Sequence, residues 1–204
     1  RTLQVLDYAV LLINGADGVQ GHTVTLWKLL ERYQIPTFIF VNKMDQEGTD
    51  HDALLTELKK RLNENCIDFS ENENADGDLE SELPAGEKEQ QNLMENKFSE
   101  EFLESLAMCD EKLLEKYLET GEVSRGEITG LIADRKVFPC YFGSALRMEG
   151  VEKLIHGLDR YTRCPVYPEA FGAKVYKIAR DDQGNRLSYM KITGGTLKVK
   201  ELLI

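Results

Sequence analysis

The sequence predicts an α/β fold, in which a parallel β-sheet is covered by helices and is followed by the start of an antiparallel β module. Two features predict the first part: nearly continuous apolar runs, typical of buried parallel strands, alternate with segments whose apolar residues recur at helical spacing. The second part is predicted by short β-type runs separated by glycine-containing turns, which begin near residue 171.

The first strand is expected over residues 5–14, as an apolar run buried on both faces, and two further strands over residues 37–43 and 136–142. Helical spacing predicts helices over 24–33, 51–62, 98–118 (one or two), part of 122–135, and 151–161. Thr23 is expected to cap the first helix, Gly121 to stop the helices at 98–118, and Pro139 to interrupt the third strand. Three more strands are expected near 171–176, 187–192 and 197–204.

Charge and composition exclude several classes of protein. The 204 residues carry a formal net charge of −11, so binding to a polyanion through net charge is excluded. No apolar run approaches the length that spans a membrane, and the first residues do not resemble a signal peptide, so we expect a cytoplasmic protein. The four cysteines lack zinc-ligand spacing, so they are expected to be free thiols and no metal site is predicted.

The negative charge is concentrated in one part of the chain. Residues 64–136 contain 21 acidic and 7 basic residues, whereas residues 137–204 contain 7 acidic and 11 basic residues. Residues 70–91 have few apolar side chains, so we expect a mobile loop within an acidic insertion at about 64–97.

Two polar motifs follow predicted strands, and the fold is expected to bring them together. Asn42-Lys43-Met44-Asp45 ends the second strand, and Gly143-Ser144-Ala145-Leu146 ends the third. Because ligands of a parallel α/β sheet bind at the carboxyl ends of its strands, these loops predict a binding site.

The chemistry of the first motif favours guanine. An ionised Asp45 carboxylate only accepts hydrogen bonds, and guanine offers it both N1–H and the N2 amino group, whereas adenine offers an unprotonated N1. A buried unpaired carboxylate costs several kcal/mol, so discrimination could reach roughly 10⁴-fold. The Lys43 stem is expected to cover the base, Asn42 to join the loops and meet N7, and the backbone N–H groups of Ser144 and Ala145 to donate to O6.

These motifs resemble the NKxD and SA motifs of GTP-binding proteins, and the likeness to translational GTPases covers the chain except roughly residues 64–97. The resemblance implies part of a P-loop GTPase domain over residues 1–161, a linker at 162–169, and the start of the β-barrel second domain over 170–204. It implies a guanine site formed by Asn42, Lys43, Asp45, Ser144, Ala145 and Leu146. It also implies GTP or GDP as ligand and ribosomal RNA as a partner of the intact protein.

The sequence contains no GxxxxGK[ST] phosphate-binding motif. The glycine-rich residues 15–21 lack the lysine and the spacing of that motif, so they are interpreted as a strand-to-helix connection, and His22 is not expected to be catalytic. In the family, the phosphate loop, the magnesium-binding threonine and the DxxGH loop precede the position of Arg1. We therefore expect a truncated protein with no catalytic residue on this chain, no GTP hydrolysis by it alone, and Mg²⁺ binding only with that preceding part.

The branch of the family is left open by the sequence. The segments IPTFIFVNKMDQEGTD and FPCYFGSA are most similar to the ribosomal-protection, tetracycline-resistance GTPases. A paralogue of elongation factor G and a non-catalytic ribosome-docking module are the alternatives. The resemblance also implies that the first strand lacks a neighbour, so we expect self-association through its edge.

Overall fold

A computed structural model describes residues 2–70 and 98–202 of the chain. The chain forms two compact units, Tyr8–Arg163 and a smaller unit that combines Arg1–Asp7 with Cys164–Ile204. The strands of the larger unit are β1 (Ala9–Asn14), β2 (Thr37–Asn42), β3 (Cys66–Asp68) and β4 (Phe138–Phe142). Its helices are α1 (Gly21–Arg32), α2 (His51–Arg61), α3 (Glu100–Ala107), α4 (Glu111–Thr120), α5 (Arg125–Ala133) and α6 (Val151–Tyr161). The smaller unit contains a 3₁₀ helix (Thr2–Val5) and the strands β5 (Gly172–Arg180) and β6 (Arg186–Gly194).

The larger unit is built on a parallel sheet with the strand order β1-β2-β4-β3. Helices cover both faces, since alternate residues of the central strand β2 enter two separate cores. Phe38 and Phe40 pack with α3 to α6, whereas Ile39 and Val41 pack with α1 and α2. The predicted fold class, a parallel α/β sheet followed by antiparallel β structure, is confirmed.

The edge strand β3 was not predicted, because it consists of three residues inside the segment interpreted as an acidic insertion. Asp68 at its end pairs with His51 Nε2 at 2.8 Å, and the buried Ser70 hydroxyl accepts a hydrogen bond from the Phe142 N–H at 3.0 Å. The first residues of the predicted insertion at about 64–97 therefore belong to the described sheet, and the insertion itself stays a prediction. Ser70, predicted to begin the mobile loop, is buried and hydrogen-bonded. Residues 71–97, which contain the remainder of both predictions, lie outside the described residues.

The first strand differs from its prediction in its start and its burial. It begins at Ala9 rather than at residue 5, because residues 2–5 form the 3₁₀ helix of the other unit. Leu11 and Ile13 are buried, but the side chains of Val10 and Leu12 are 45% and 61% exposed. The expected burial on both faces is therefore wrong, because β1 is an edge strand of the described sheet and only one of its faces is well covered.

Two local predictions fail for identifiable reasons. The first helix begins at Gly21 with Gln20 as its N-cap, and Thr23 is a buried residue of its first turn rather than the cap. Pro139 does not interrupt β4, because the bonds to β3 are made on either side of it: Phe138 N–H donates to Asn65 O, and Phe69 N–H donates to Cys140 O. A proline is tolerated in a strand where no ladder bond needs its nitrogen.

The helices agree with their predictions more closely. The range 98–118 contains two helices, α3 and α4, and Gly121 ends α4 in a left-handed conformation with φ of 69°. Helix α6 has the predicted bounds, and α2 has an aspartate cap, Asp50, which accepts from Ala53 N–H at 2.7 Å. Among the described residues, no helix combines the length and apolar composition required to cross a membrane.

The smaller unit contains an antiparallel hairpin of β5 and β6. Its turn is closed by Asp181, whose carboxylate accepts bonds from the side chain and backbone of Asn185, and these bonds lower the pKa of Asp181. The ammonium of Lys191 on β6 binds Val5 O at 2.9 Å and the Asp7 carboxylate at 2.6 Å. The third strand predicted at 197–204 is absent from the described residues 197–202.

Candidate functional site

The two predicted loops lie side by side at the carboxyl end of the sheet. Strands β2 and β4 are neighbours, with Val41 opposite Phe142, so the residues after them leave the sheet at the same edge. Backbone bonds then join the loops: Gly143 N–H donates to Val41 O at 3.0 Å, and Met44 N–H donates to Gly143 O at 3.0 Å. The sheet therefore fixes the relative position of the two motifs.

Asn42 joins the loops a second time. Its Oδ1 accepts from Ala145 N–H at 2.8 Å and from Lys43 N–H at 2.8 Å. Lys43 has a left-handed backbone, with φ of 66°, which few non-glycine residues adopt outside constrained sites. Asn42 therefore joins the two loops, as predicted. Its contact with a purine N7 stays a prediction.

The Asp45 carboxylate faces the second loop and is charged. Its side chain is 17% exposed, and its Oδ2 lies 3.5 Å from Arg147 Nε. The neighbouring Ser144 hydroxyl is the main cause that lowers the pKa of Asp45, and the charges of Arg147 and Lys43 lower it further. The Ser144 hydroxyl is buried and makes no hydrogen bond of normal geometry to the described residues, so a polar group is positioned beside the carboxylate with bonding capacity to spare.

The second loop closes on itself tightly. Ser144 N–H donates to Glu149 O at 2.9 Å, and Glu149 N–H donates to Ser144 O at 3.0 Å. The glycines at both ends permit this approach: a Cβ on Gly143 would lie under 3.0 Å from Glu149 O, and one on Gly150 under 3.0 Å from Phe142 O. Gly150 also has a φ of 73°. Residues 144–149 therefore form a rigid loop opposite Asp45.

The backbone donors of this loop are arranged differently from the expectation. The N–H groups of Ser144 and Ala145, expected to donate to guanine O6, already donate to Glu149 O and Asn42 Oδ1. A purine oxygen would have to share those hydrogens or accept from the next N–H, that of Leu146. The side chain of Leu146 is 92% exposed, so it is accessible to the face of a bound ring.

A cleft of about 220 Å³ lies beside Asn42 and Lys43, at the carboxyl ends of β1 and β2. Residues 15–20 form one wall and connect β1 to α1, as interpreted from the sequence. Helix α2 holds this wall, because Glu57 accepts from Val19 N–H at 3.3 Å and Arg61 donates to Val19 O. Gly18 suits this position, since its φ is 64° and a Cβ would displace the Glu57 carboxylate that accepts from Val19 N–H. His22 lines the cleft.

The sequence interpretation missed Arg147, Glu57 and Arg61. Arg147 is two residues after Ala145, and a cation so close to a predicted recognition carboxylate was a usable signal. The role of Glu57 and Arg61 had no local signal, because their partner Val19 lies about forty residues earlier and is bound through its backbone.

A parallel sheet that presents an Asn-Lys-x-Asp loop and a Ser-Ala loop side by side has the arrangement of a GTP-binding protein. Residues 1–163 match the family described as the elongation factor Tu GTP-binding domain. The chain belongs to this family. It is also similar to the crystal structure of a protein from Thermus thermophilus, with a TM-score of 0.70 and 26% sequence identity over 96% of this chain. The match covers 33% of that protein, so the chain spans about a third of its length.

Mg²⁺ usually accompanies the nucleotide in this family, and phosphate oxygens of the nucleotide supply part of its ligands. In residues 2–70 and 98–202, no three His, Cys, Asp or Glu side chains are grouped so that they could hold a metal ion. No step is therefore assigned to a metal ion on this part of the chain.

Proposed function

We propose that this chain recognises the base of guanine nucleotides through Asp45, with Asn42, Lys43, Ser144, Ala145 and Leu146 completing the site. The observation that carries the proposal is a charged, half-enclosed carboxylate fixed opposite the Ser144-Ala145 loop by backbone bonds. The two oxygens of such a carboxylate match the N1–H and N2 amino donors of guanine, and adenine has no equivalent donor pair.

Isothermal titration calorimetry with GDP, ADP and free guanine tests this proposal. We expect measurable binding of GDP and guanine and no comparable response to ADP. The affinity for GDP should be weak, because base contacts alone bury few atoms and the sequence contains no phosphate-binding motif. An equal response to ADP and GDP would contradict guanine recognition.

We further propose that the intact protein is a ribosome-dependent translational GTPase of the ribosomal-protection, tetracycline-resistance type. The support is family membership together with the similarity of the segments around Asn42 and Ser144 to that branch. A translocase-like paralogue of elongation factor G is the alternative. Residues 1–161 would then be part of the GTPase domain, 162–169 a linker, and 170–204 the start of the second domain, whose basic residues suit ribosomal RNA.

The 204-residue chain by itself is expected not to hydrolyse GTP. Phosphoryl transfer depends on positioning and on neutralising charge at the phosphates, and no GxxxxGK[ST] motif is present to do this. Phosphate release from GTP by the purified chain should equal the rate in buffer. The Asp45→Asn variant, impaired in the proposed base site, is the matched control for a contaminating GTPase. Release by the chain that exceeds buffer and is lost in this variant would refute the expectation.

A further inference from the structure

Arg147 lies beside the carboxylate to which base recognition is assigned. It belongs to the closed loop 144–149, where its own N–H donates to Ser144 O at 3.2 Å. Its Nε lies 3.5 Å from Asp45 Oδ2, and its side chain is 58% exposed. The exposed guanidinium therefore lies next to the Asp45 carboxylate, while the backbone of its own loop is held by hydrogen bonds.

The donors of Arg147 have the same chemistry as those of guanine. In guanine, N1–H and the N2 amino group are bonded to one carbon, as are the N–H groups of a guanidinium. Both groups present adjacent planar donors, and both suit the two oxygens of a carboxylate. Arg147 and guanine are thus two ligands of the same kind for Asp45, one carried by the chain and the other diffusible.

The geometry of the ion pair between Arg147 and Asp45 is that of a weak interaction. One nitrogen approaches one oxygen at 3.5 Å, which is too long for a bidentate pair, and more than half of the Arg147 side chain is exposed. An exposed pair of this kind contributes little and is weakened by salt. Such a pair can shield the charge of Asp45 and still be displaced by a base.

We propose that Arg147 is a specificity-determining residue that occupies the guanine-recognition carboxylate when no base is bound and leaves it when guanine enters. This inference rests on the proposed recognition of guanine by Asp45. Arg147 thereby lowers the affinity for guanine bases and leaves the affinity for adenine bases unchanged, because adenine does not compete for Asp45.

The test uses the full 204-residue chain and the uncharged ligands guanosine, inosine and adenosine, titrated by NMR at low and high NaCl concentration. Arg147→Met removes the guanidinium and keeps the length of the side chain. Lys60→Met removes one positive charge from the exposed surface of α2 and is the matched control. Uncharged ligands ensure that salt acts on the protein ion pair and not on a phosphate.

We expect Arg147→Met to bind guanosine about threefold more tightly than the unaltered chain at low salt, which is the factor that an exposed ion pair typically contributes. The difference should disappear at high salt, and inosine, which lacks the N2 amino group, should gain less. Lys60→Met should behave as the unaltered chain. If Arg147→Met binds guanosine no more tightly than the unaltered chain, and both still prefer guanosine to adenosine, the proposed role of Arg147 is overturned. The proposed recognition of guanine by Asp45 then stands. No preference for guanosine in either chain overturns the proposed function itself, and with it this inference.

Discussion

The Asp45→Asn variant is expected to lose its preference for guanine over adenine nucleotides. The substitution keeps the size of the side chain but replaces one accepting oxygen by an NH₂ donor, which would face the N–H donors of guanine. Hydrogen bonds to a charged group are about twice as strong as neutral ones, so losing one such bond and making the other one neutral weakens GDP binding by roughly 10²–10³-fold. The measurement is the ratio of GDP to ADP affinity by calorimetry or by competition with a fluorescent nucleotide.

Two controls make the Asp45 result specific. Glu47→Gln makes the same change of charge at an exposed residue two positions along the chain and should leave the ratio unaltered. Xanthine carries a carbonyl where guanine carries its amino group, so a xanthine nucleotide should bind Asp45→Asn better than GDP does. Retention of the full GDP preference by Asp45→Asn would show that another group recognises the base.

The second large effect is expected at Gly143, where the second loop leaves β4. A Cβ at this position would lie under 3.0 Å from Glu149 O, and that carbonyl is fixed because it accepts the Ser144 N–H at 2.9 Å. Gly143→Ala must therefore open the loop or shift β4, and we expect it to lower the free energy of unfolding by about 2–4 kcal/mol. Urea unfolding followed by circular dichroism measures this change.

Gly126→Ala is the matched control for Gly143→Ala. Gly126 lies in α5, and the nearest atom to a Cβ there is Ser124 Oγ at 4.0 Å, so the methyl group has room. Alanine favours helix over glycine by about 0.5–1 kcal/mol, so this variant should be as stable as the unaltered chain or more stable. Equal destabilisation by both substitutions would mean that the loop closure at Gly143 has no special role.

Sequence patterns predicted the order of the major elements because both cores are large and their apolar residues recur with clear periods. They failed where a period could not be measured. The three residues of β3 are too few to alternate visibly, and acidic sequence follows them. Residues 8–13 are apolar without interruption, so composition could not show that Val10 and Leu12 face outward on an edge strand.

The proximity of the two loops of the candidate site was predicted, but the hydrogen bonds between them were not. The strand-end positions of Asn42, Asp45 and Ser144 follow from the topology of a parallel sheet, which places both loops at one edge. The use of the Ala145 N–H by Asn42 depends on a side-chain rotamer and on a backbone distance across 103 residues of sequence, and neither is encoded in local spacing.

The hydrogen bonds between α2 and Val19 connect two segments that are far apart in the sequence. Helix α2 begins six residues after Asp45, and its Glu57 and Arg61 bind the N–H and the C=O of Val19, in the segment that forms a wall of the cleft. The Asn42–Asp45 loop and the wall formed by residues 15–20 are therefore both connected to α2. A displacement of α2 is therefore expected to move residues 15–20 as well, although the two segments are about forty residues apart in the sequence.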